Sequence, residues 1–465
     1  MLTDIRVVEA ETRFSHEQAR TPIKFGGVVM DSVVLAEVRV TVENRRGQRG
    51  TGCGAIFLAD FWAFPSARVP TDVRAAAMEE LTRRCAGRLV GHGRYGHPID
   101  IARELQPAFD EQAAALTREL NLAEPLPRLL TLVSASPVDA ALHDAFGLAN
   151  GIDTYDGYGP EHVAHDLSRY FGPRFAGVYP AVALRPAYAE RVPIFHLVGG
   201  LDKLTRAELG ADDPQDGLPN CLEDWIARDG VYCLKVKLRG NDPPWDLERM
   251  LAVNRIGAAA LAARGRDRYY LTGDANEICD SPDYVIELVE RLRERSPAAA
   301  AHLLYVEQPT ERDLARRRFD MAPLARLVPV LADESLSSDE AFDLALELGW
   351  TGPALKTCKG QTDSVLWAAK ATVLGKPYAI QDLTNPGLAL LQSVGLGART
   401  SPMMGIEYNS RQFFPDVRSE IRALHEPAFV VREGEASTAS LRGHGLGFRM
   451  ADVEAAAHSA TGLWR

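Results

Sequence analysis

The sequence predicts an α/β protein built on a (β/α)₈ TIM-type barrel, with an α+β capping domain formed by both chain ends. From about residue 192, short apolar runs alternate eight times with amphipathic helical segments. Continuous apolar runs are typical of parallel strands that helices cover, and eight such units suit a closed barrel. The segments at both chain ends lack this alternation of apolar runs and helical segments. A doubly wound open sheet is the alternative, but it rarely needs eight such regular units.

The first 145 residues predict the N-terminal part of the cap. The stretch VVLAEVRVTVEN (33–44) alternates as a strand does, and the glycine-rich RRGQRGTGCGA that follows indicates a turn into a second strand. Two helical patterns come next, at 71–87 and 99–120. Strands followed by helices are typical of a separate α+β unit.

We place the barrel at residues 146–410. Its eight apolar runs, in chain order, are VPIFHLV, YCLKVKL, YYLTGD, LLYVE, VPVLAD, PALKT, YAIQD and PMMGIEY. The last segment, 411–465, contains glycine turns and strand-like residues, and we expect it to return to the cap. The stretch 159–185, rich in glycine, proline and aromatic residues, is an insert to which the sequence assigns no role.

Composition excludes several classes of protein. The net charge of −11 gives no indication of a nucleic-acid partner. The N-terminus lacks the cationic and apolar regions of a signal peptide, and no run of about 18 apolar residues indicates a membrane span. The six scattered cysteines predict reduced, mostly buried thiols. We therefore expect a cytoplasmic protein without a membrane or nucleic-acid partner.

Charged side chains lie at the ends of consecutive predicted strands, two through six. In chain order they are Lys235 and Lys237, Asp274 with Asn276 beyond it, Glu307, Asp333 with Glu334, and Lys356. Each interval is about one βα unit, so every group falls on its own strand. Active sites of this architecture form at the C-terminal ends of the strands, where these groups converge.

This spacing predicts a metal site with lysines beside it. Residues i and i+2 share a face of a strand, so Lys235 and Lys237 both point inward. Buried ammonium groups need carboxylate partners, and three acidic oxygens from separate strands suit a hard cation such as Mg²⁺. A buried salt-bridge network is the alternative. Because neighbours in a strand face opposite ways, only one of Asp333 and Glu334 enters the site unaided.

The constellation resembles the enolase superfamily, and within it the proteins similar to mandelate racemase and muconate lactonizing enzyme. The stretches that carry the resemblance are LKVKL, GDANE, YVEQP, LADES and ALKTCKG, in the family's order along the chain. ASPVDAALHDAFGLANG before the barrel and GHGLGFRMADV near the C-terminus also resemble the family. The likeness covers most of the chain apart from the insert.

The resemblance implies a role for each of these residues. Asp274, Glu307 and Asp333 match the three metal ligands, for Mg²⁺ or alternatively Mn²⁺. Lys237 matches the base on one face of the substrate and Lys235 its electrostatic helper. Lys356 matches the lysine on the opposite face, as in the muconate-lactonizing subgroup.

This chain also departs from the family at three places. No histidine follows the seventh strand, so the lysine–histidine arrangement of mandelate racemase is not supported. The family's Gly-Gly after the sixth strand is here Gly360-Gln361, and GIEYN on the eighth strand lacks the D-x-D of dipeptide epimerases.

The implied activity is Mg²⁺-dependent removal of the proton α to a substrate carboxylate through a metal-stabilised enediolate. Racemases, epimerases and cycloisomerases share this step. An acid-sugar dehydratase is the alternative, followed by a metal-dependent aldolase or hydrolase barrel and a non-catalytic binding protein. We expect a homo-oligomer acting on a small carboxylate-containing substrate.

Four further side chains are candidates for substrate binding: Asn276, Glu407, Arg20 and Lys24. The last two lie in 11–26, which matches the family's mobile loop over the site. Ordinary surface charge is the alternative interpretation of both.

Overall fold

The computed structural model describes residues 1–25 and 28–458. Eight parallel strands form the barrel, and each overlaps one of the eight apolar runs. They are β4 (Arg191–Val198), β5 (Cys233–Lys237), β6 (Tyr270–Asp274), β7 (Leu303–Glu307), β8 (Val330–Ala332), β9 (Gly352–Lys356), β10 (Ala379–Gln381) and β11 (Ile406–Glu407). β11 pairs in parallel with β4, which closes the barrel and confirms the predicted fold class.

The barrel interior has an apolar layer at one end and charged side chains at the other. Six inward side chains pack together in the apolar layer: Phe195, Cys233, Tyr305, Leu331, Ala354 and Ala379. Because side chains alternate along a strand, Lys235 and Lys237 share the inward face with Cys233. The charged groups thus lie nearer the carboxyl ends of the strands.

Helices cover the outside of the barrel. They are α6 (Leu222–Asp229), α7 (Pro243–Ala262), α8 (Pro282–Arg295), α9 (Pro297–His302), α10 (Ala322–Ala325), α11 (Asp339–Glu347), α12 (Gln361–Val373) and α13 (Gly387–Arg399). The insert contributes α5 (Ser168–Phe171) and short 3₁₀ turns. One further 3₁₀ turn, Thr357–Lys359, continues directly from β9 and carries the sixth-strand motif.

The N-terminal unit is a three-stranded antiparallel sheet covered by helices. Its elements are β1 (Ile5–Phe25), β2 (Val28–Asn44), β3 (Arg49–Phe57), α1 (Asp60–Ala63), α2 (Thr71–Gly91), α3 (Pro98–Glu119) and α4 (Arg128–Asn150). The expectation of a loop at 11–26 was wrong for 11–25, since those residues lie in β1 and pair with β2 as far as Gln18 and again from Ile23. Gly26 lies outside the described residues.

The C-terminal segment contacts both the barrel and the N-terminal unit. Its elements are α14 (Ser410–Phe413), α15 (Ser419–Leu424), α16 (Glu426–Phe429), β12 (Glu435–Ser437) and α17 (Met450–His458). β12 pairs with β4, whereas Leu446 donates its backbone N–H to Asp144 at 2.7 Å and Glu454 forms an ion pair with Arg39. These contacts support our proposal that the cap is built from both chain ends, with boundaries near residues 145 and 410.

Two further observations concern the cysteines and the length and apolar character of the helices. All six cysteines are buried and none forms a disulfide. Over the ranges 1–25 and 28–458, no helix combines the length and the apolar character needed to cross a membrane.

Candidate active site

Three buried carboxylates end adjacent strands of the barrel. Asp274 and Glu307 are the last residues of β6 and β7 and pair with each other in the sheet register, and Asp333 follows β8 directly. Each is at most 1% exposed. The structure therefore places the three residues that the sequence suggested as metal ligands at neighbouring strand ends.

Lys235 lies at the centre of the charged layer. Its Nζ donates to Glu307 at 3.1 Å, to Gln381 at 2.9 Å and to Glu407 at 3.1 Å, and it lies 3.1 Å from Asp274. Burial alone would lower the pKa of Lys235, but these carboxylates outweigh burial and raise it well above its usual value. Lys235 is thus a fully buried cation that contacts side chains of several strands at once.

Lys237 lies nearer the mouth of the barrel. Its Nζ donates to Asp274 Oδ2 at 2.5 Å and to Asn276 Oδ1 at 3.0 Å. Although burial alone would raise the pKa of Asp274, Lys237 and Lys235 hold it below its usual range. Asn276 has a positive φ of 43° and is buried, so the turn after β6 aims its amide at Lys237.

Lys356 and Lys359 contact the carboxylate of Asp333 from the other side. Lys356 Nζ lies 2.8 Å from Asp333 Oδ2, and Lys359 Nζ donates to the Asp333 carbonyl at 2.6 Å and to Oδ1 at 3.1 Å. Burial would lower the pKa of Lys356, but Asp333 outweighs burial and raises it. The sequence analysis gave no role to Lys359, which is fully buried here.

A known family matches this part of the chain. The family model described as "Enolase C-terminal domain-like" matches residues 218–454, just over half of the chain. The chain belongs to the enolase superfamily. The predicted resemblance to mandelate-racemase-like and muconate-lactonizing-enzyme-like proteins is thereby confirmed. No curated protein matches the sequence.

Solved structures share the fold of this enolase-superfamily chain over nearly its whole length. Muconate lactonizing enzyme from Pseudomonas fluorescens, solved with muconolactone, is 17% identical, with 95% of this chain and 96% of that chain covered and a TM-score of 0.59. An enolase from Bradyrhizobium, solved with magnesium and mandelic acid, is 18% identical, with 96% of each chain covered and a TM-score of 0.57. A dipeptide epimerase from Enterococcus faecalis is 16% identical, with coverages of 88% and 92% and a TM-score of 0.55.

Trp62, which the sequence analysis left out, and Glu334, to which it gave no role, connect the cap to the site of this superfamily member. Trp62 in α1 places its ring 4.5 Å from Lys356 Nζ and donates its Nε1–H to Glu334 at 2.9 Å. Glu334 also accepts from Asn276 at 3.1 Å. Both Asp333 and Glu334 can face the site because they lie in the turn beyond β8 rather than in the strand. Burial, followed by the charge of Asp333, raises the pKa of Glu334 to about 7.

Glu407 has its oxygens occupied by neighbouring groups of the barrel. Besides Lys235, it accepts from the Asp382 backbone N–H at 3.0 Å and from Asn409 at 2.8 Å. Asp382, which follows β10, is another buried acid that sequence reasoning missed because a histidine was sought there. Burial, followed by the charge of Glu407, raises the pKa of Asp382 to about 7.

Arg20 and Lys24 lie away from the cluster of lysines and carboxylates. Arg20 forms an ion pair with Asp216 and donates to Asn220 at 2.5 Å. Lys24 lies farther along β1, beside Gly200. Both side chains thus contact the loop that follows β4, and their predicted role in substrate binding stays a prediction.

The charges of the site fit a divalent cation. Six carboxylates (Asp274, Glu307, Asp333, Glu334, Asp382, Glu407) face the ammonium groups of Lys235, Lys237, Lys356 and Lys359, an excess of two negative charges when all are ionised. Within the described residues, Glu307 Oε2 and Asp333 Oδ2 accept no hydrogen bond, although a lysine nitrogen lies within 3.0 Å of each. Buried oxygen donors with surplus negative charge are what Mg²⁺ requires.

The same lysines occupy the space between the carboxylates. In the described part of the chain, no three Asp, Glu, His or Cys side chains are gathered closely enough to hold an ion. Lysine nitrogens within 3.1 Å of Asp274, Glu307 and Asp333 explain this separation, since each neutralises an oxygen that a cation would otherwise bind.

Proposed function

We propose that the protein is a Mg²⁺-dependent enzyme that removes the proton α to the carboxylate of a small substrate, as racemases, epimerases and cycloisomerases do. The observation that carries the proposal is the position of two lysines on opposite sides of three adjacent carboxylates. Lys237 ends β5 and Lys356 ends β9, four strands apart in a closed barrel of eight. A substrate between them presents one face to each lysine.

Asp274, Glu307 and Asp333 would hold the Mg²⁺. The ion supplies positive charge to the substrate carboxylate, which lowers the free energy needed to remove a weakly acidic α-proton. A lysine acts as a base only when it is neutral, and the carboxylates around Lys356 favour its charged form. A divalent cation offsets that negative field.

Each of the other groups then has a defined task. Lys237 and Lys356 take or return the α-proton, because a base must lie within hydrogen-bond reach of the proton it moves. Lys235 neutralises Glu307 and Glu407 from below. Asn276 accepts from Lys237 and donates to Glu334, so it orients the base rather than the substrate. The apolar layer beneath keeps water out of the barrel interior.

The fate of the substrate after proton removal distinguishes isomerisation from elimination. Return of the proton to the other face by the second lysine gives racemisation or epimerisation. In an acid-sugar dehydratase, one lysine serves as base and the other donates a proton to the departing hydroxyl group. The pair of lysines on opposite faces supports the isomerase more directly, because elimination needs only one base.

Hydrogen exchange tests the proposal. The protein is incubated in D₂O with Mg²⁺ and a panel of acid sugars, hydroxy acids and N-acyl amino acids, and deuterium at the α-carbon is measured by NMR. We expect exchange in one class of compound and its loss when Mg²⁺ is chelated. Binding of a panel member without exchange would favour a non-catalytic binding protein.

A further inference from the structure

A second cavity lies on the outer side of the barrel and contains four arginines. Its volume is about 330 Å³, and it is lined by residues of α6, the start of α13 and the segment 408–432. One part of its wall is apolar, with Tyr408, Phe414, Phe429, Val430 and Val431. The charged part is formed by Arg228, Arg411, Arg422 and Arg432 with the carboxylate of Asp229.

The cavity is separate from the candidate active site. Arg411 Nη2 donates to His196 Nδ1 at 2.7 Å, and His196 pairs with Leu234 in the barrel register. Its neighbour Leu197 pairs with the inward-facing Lys235. Because successive side chains alternate across a strand, His196 faces outward and Arg411 lies behind the barrel wall.

Arg411 is a buried cation with incomplete partners. It is 8% exposed, and within the described residues its Nε has no hydrogen-bond partner. Its carboxylate partner Asp229 is shared with Arg228, whose Nε donates to it at 2.7 Å. Burial, followed by the Arg411 charge, lowers the pKa of His196 well below its usual value, so His196 is neutral and does not offset the charge of Arg411. One carboxylate therefore faces two guanidinium groups.

The other two arginines have weak carboxylate partners, and Arg422 also donates to the Pro415 carbonyl at 2.9 Å. Arg422 lies 4.0 Å from Asp416 and Arg432 lies 3.9 Å from Glu426. These acids are 94% and 55% exposed, so solvent screens both pairs. Counting these two acids and Asp229 against four arginines leaves one positive charge in excess, in a chain whose net charge is −11.

We propose that this cavity binds an organic anion, namely a carboxylate or phosphate group carried on an apolar body. Guanidinium groups bind such oxyanions through paired N–H donors, and Arg411, which lines the cavity, has a buried Nε without a partner among the described residues. The apolar wall receives the rest of the molecule. The volume lies at the lower end of the range for small-molecule sites, which restricts the ligand to about the size of one ring.

Calorimetric titration with phenyl phosphate tests the proposal, in low salt and with EDTA present. We expect saturable one-to-one binding that weakens as salt is added. The double substitution Arg422→Gln with Arg432→Gln should weaken it roughly tenfold or more, because two charge-assisted contacts are lost. The matched control is Arg291→Gln with Arg295→Gln, which removes two exposed arginines from α8 and should leave binding unchanged.

Further titrations separate the contribution of the anionic head group to binding from that of the ring. Phenylacetate in place of phenyl phosphate ranks the two head groups, and phenol should bind far more weakly than either. Three results would overturn the proposal: absence of saturable binding to the unmodified protein, equal affinity in the Arg422→Gln/Arg432→Gln protein, or equal affinity for phenol. Equal affinity in the double variant with loss in Lys237→Met would place the anion in the barrel mouth instead.

Discussion

The two lysine pairs of the site are held in different ways. Lys235 and Lys237 lie two residues apart on β5, and their partners come from four other strands or strand ends of the barrel. Lys356 and Lys359 lie three residues apart, one at the end of β9 and the other in the 3₁₀ turn that follows. Strand register alone positions the first pair, whereas the second depends on a turn.

The second pair also depends on the cap. Trp62 covers Lys356, and the backbone N–H and hydroxyl of Thr362, just beyond the turn, each donate to Asp139 of α4 at 2.8 Å. The strand-six side of the site is therefore complete only when the N-terminal unit is docked. The strand-two side contacts the cap differently, through the hydrogen bonds that Asn276 and Trp62 donate to Glu334, so changes in the two halves should have separable effects.

The largest effect is expected from removing the bases themselves. Lys237→Met should abolish α-deuterium exchange of one substrate enantiomer, and Lys356→Met that of the other. A loss of roughly 10²-fold or more is expected when general base catalysis is removed. Lys376→Met, away from the site, is the control. If both site variants retain full exchange of both enantiomers, the lysines are structural and the proposed function is wrong.

Removal of Lys235 should act on both enantiomers and on stability. Lys235→Met leaves Glu307 and Glu407 buried without their shared cation, which we expect to lower the free energy of unfolding by about 3–5 kcal/mol. Denaturant unfolding measures this. Lys370→Met is the matched control, since Lys370 is also buried but its partner Asp343 is 60% exposed and can be solvated. Equal losses in the two variants would contradict the central role of Lys235.

Metal binding should depend on the barrel carboxylates. Asp274→Asn keeps the shape of the side chain but removes its charge, so we expect Mg²⁺ affinity, measured by calorimetry, to fall at least roughly tenfold. Asp343→Asn, on α11, removes an equal charge far from the strand ends and should have no effect. Unchanged affinity in Asp274→Asn would exclude Asp274 as a ligand.

The sequence predicted the half of the site that strand register determines. The βα spacing was enough to place Lys237, Asp274 and Glu307 at neighbouring strand ends, because a parallel register makes those positions adjacent. The alternation of apolar runs with helical segments predicted the barrel for the same reason, because each run marks one strand that packs against a helix.

The parts that the sequence did not predict depend on turns and on tertiary contacts. Strand alternation admitted only one of Asp333 and Glu334 to the site, and the family resemblance selected Asp333. That alternation no longer holds in the turn after β8. Trp62 lies in the short apolar stretch after β3, and nothing in its local pattern distinguishes it from a core residue. The segment 11–25 was expected to be a loop, but pairing with the distant residues of β2 makes it a strand.

The smallest expected effect concerns the hydrogen bond between Trp62 of the cap and Glu334. Trp62→Phe keeps an aromatic face over Lys356 but removes the N–H that Glu334 accepts. One hydrogen bond of this kind corresponds to about 0.5–1.5 kcal/mol, or roughly 2- to 10-fold in rate. Because Glu334 also accepts from Asn276, which contacts Lys237, we expect exchange of the enantiomer served by Lys237 to slow by that factor. Lys356 keeps its aromatic face, so exchange of the other enantiomer should stay nearly unchanged.

The control for this experiment removes an indole N–H that makes no hydrogen bond. Trp350 is 1% exposed and its Nε1 has no partner among the described residues, so Trp350→Phe changes ring size without losing a bond. A general loss of core packing would slow both enantiomers in both variants. If Trp62→Phe slows both enantiomers equally while Trp350→Phe slows neither, the cap acts on the whole site. The division of the site into two halves with separable contacts to the cap would then be wrong.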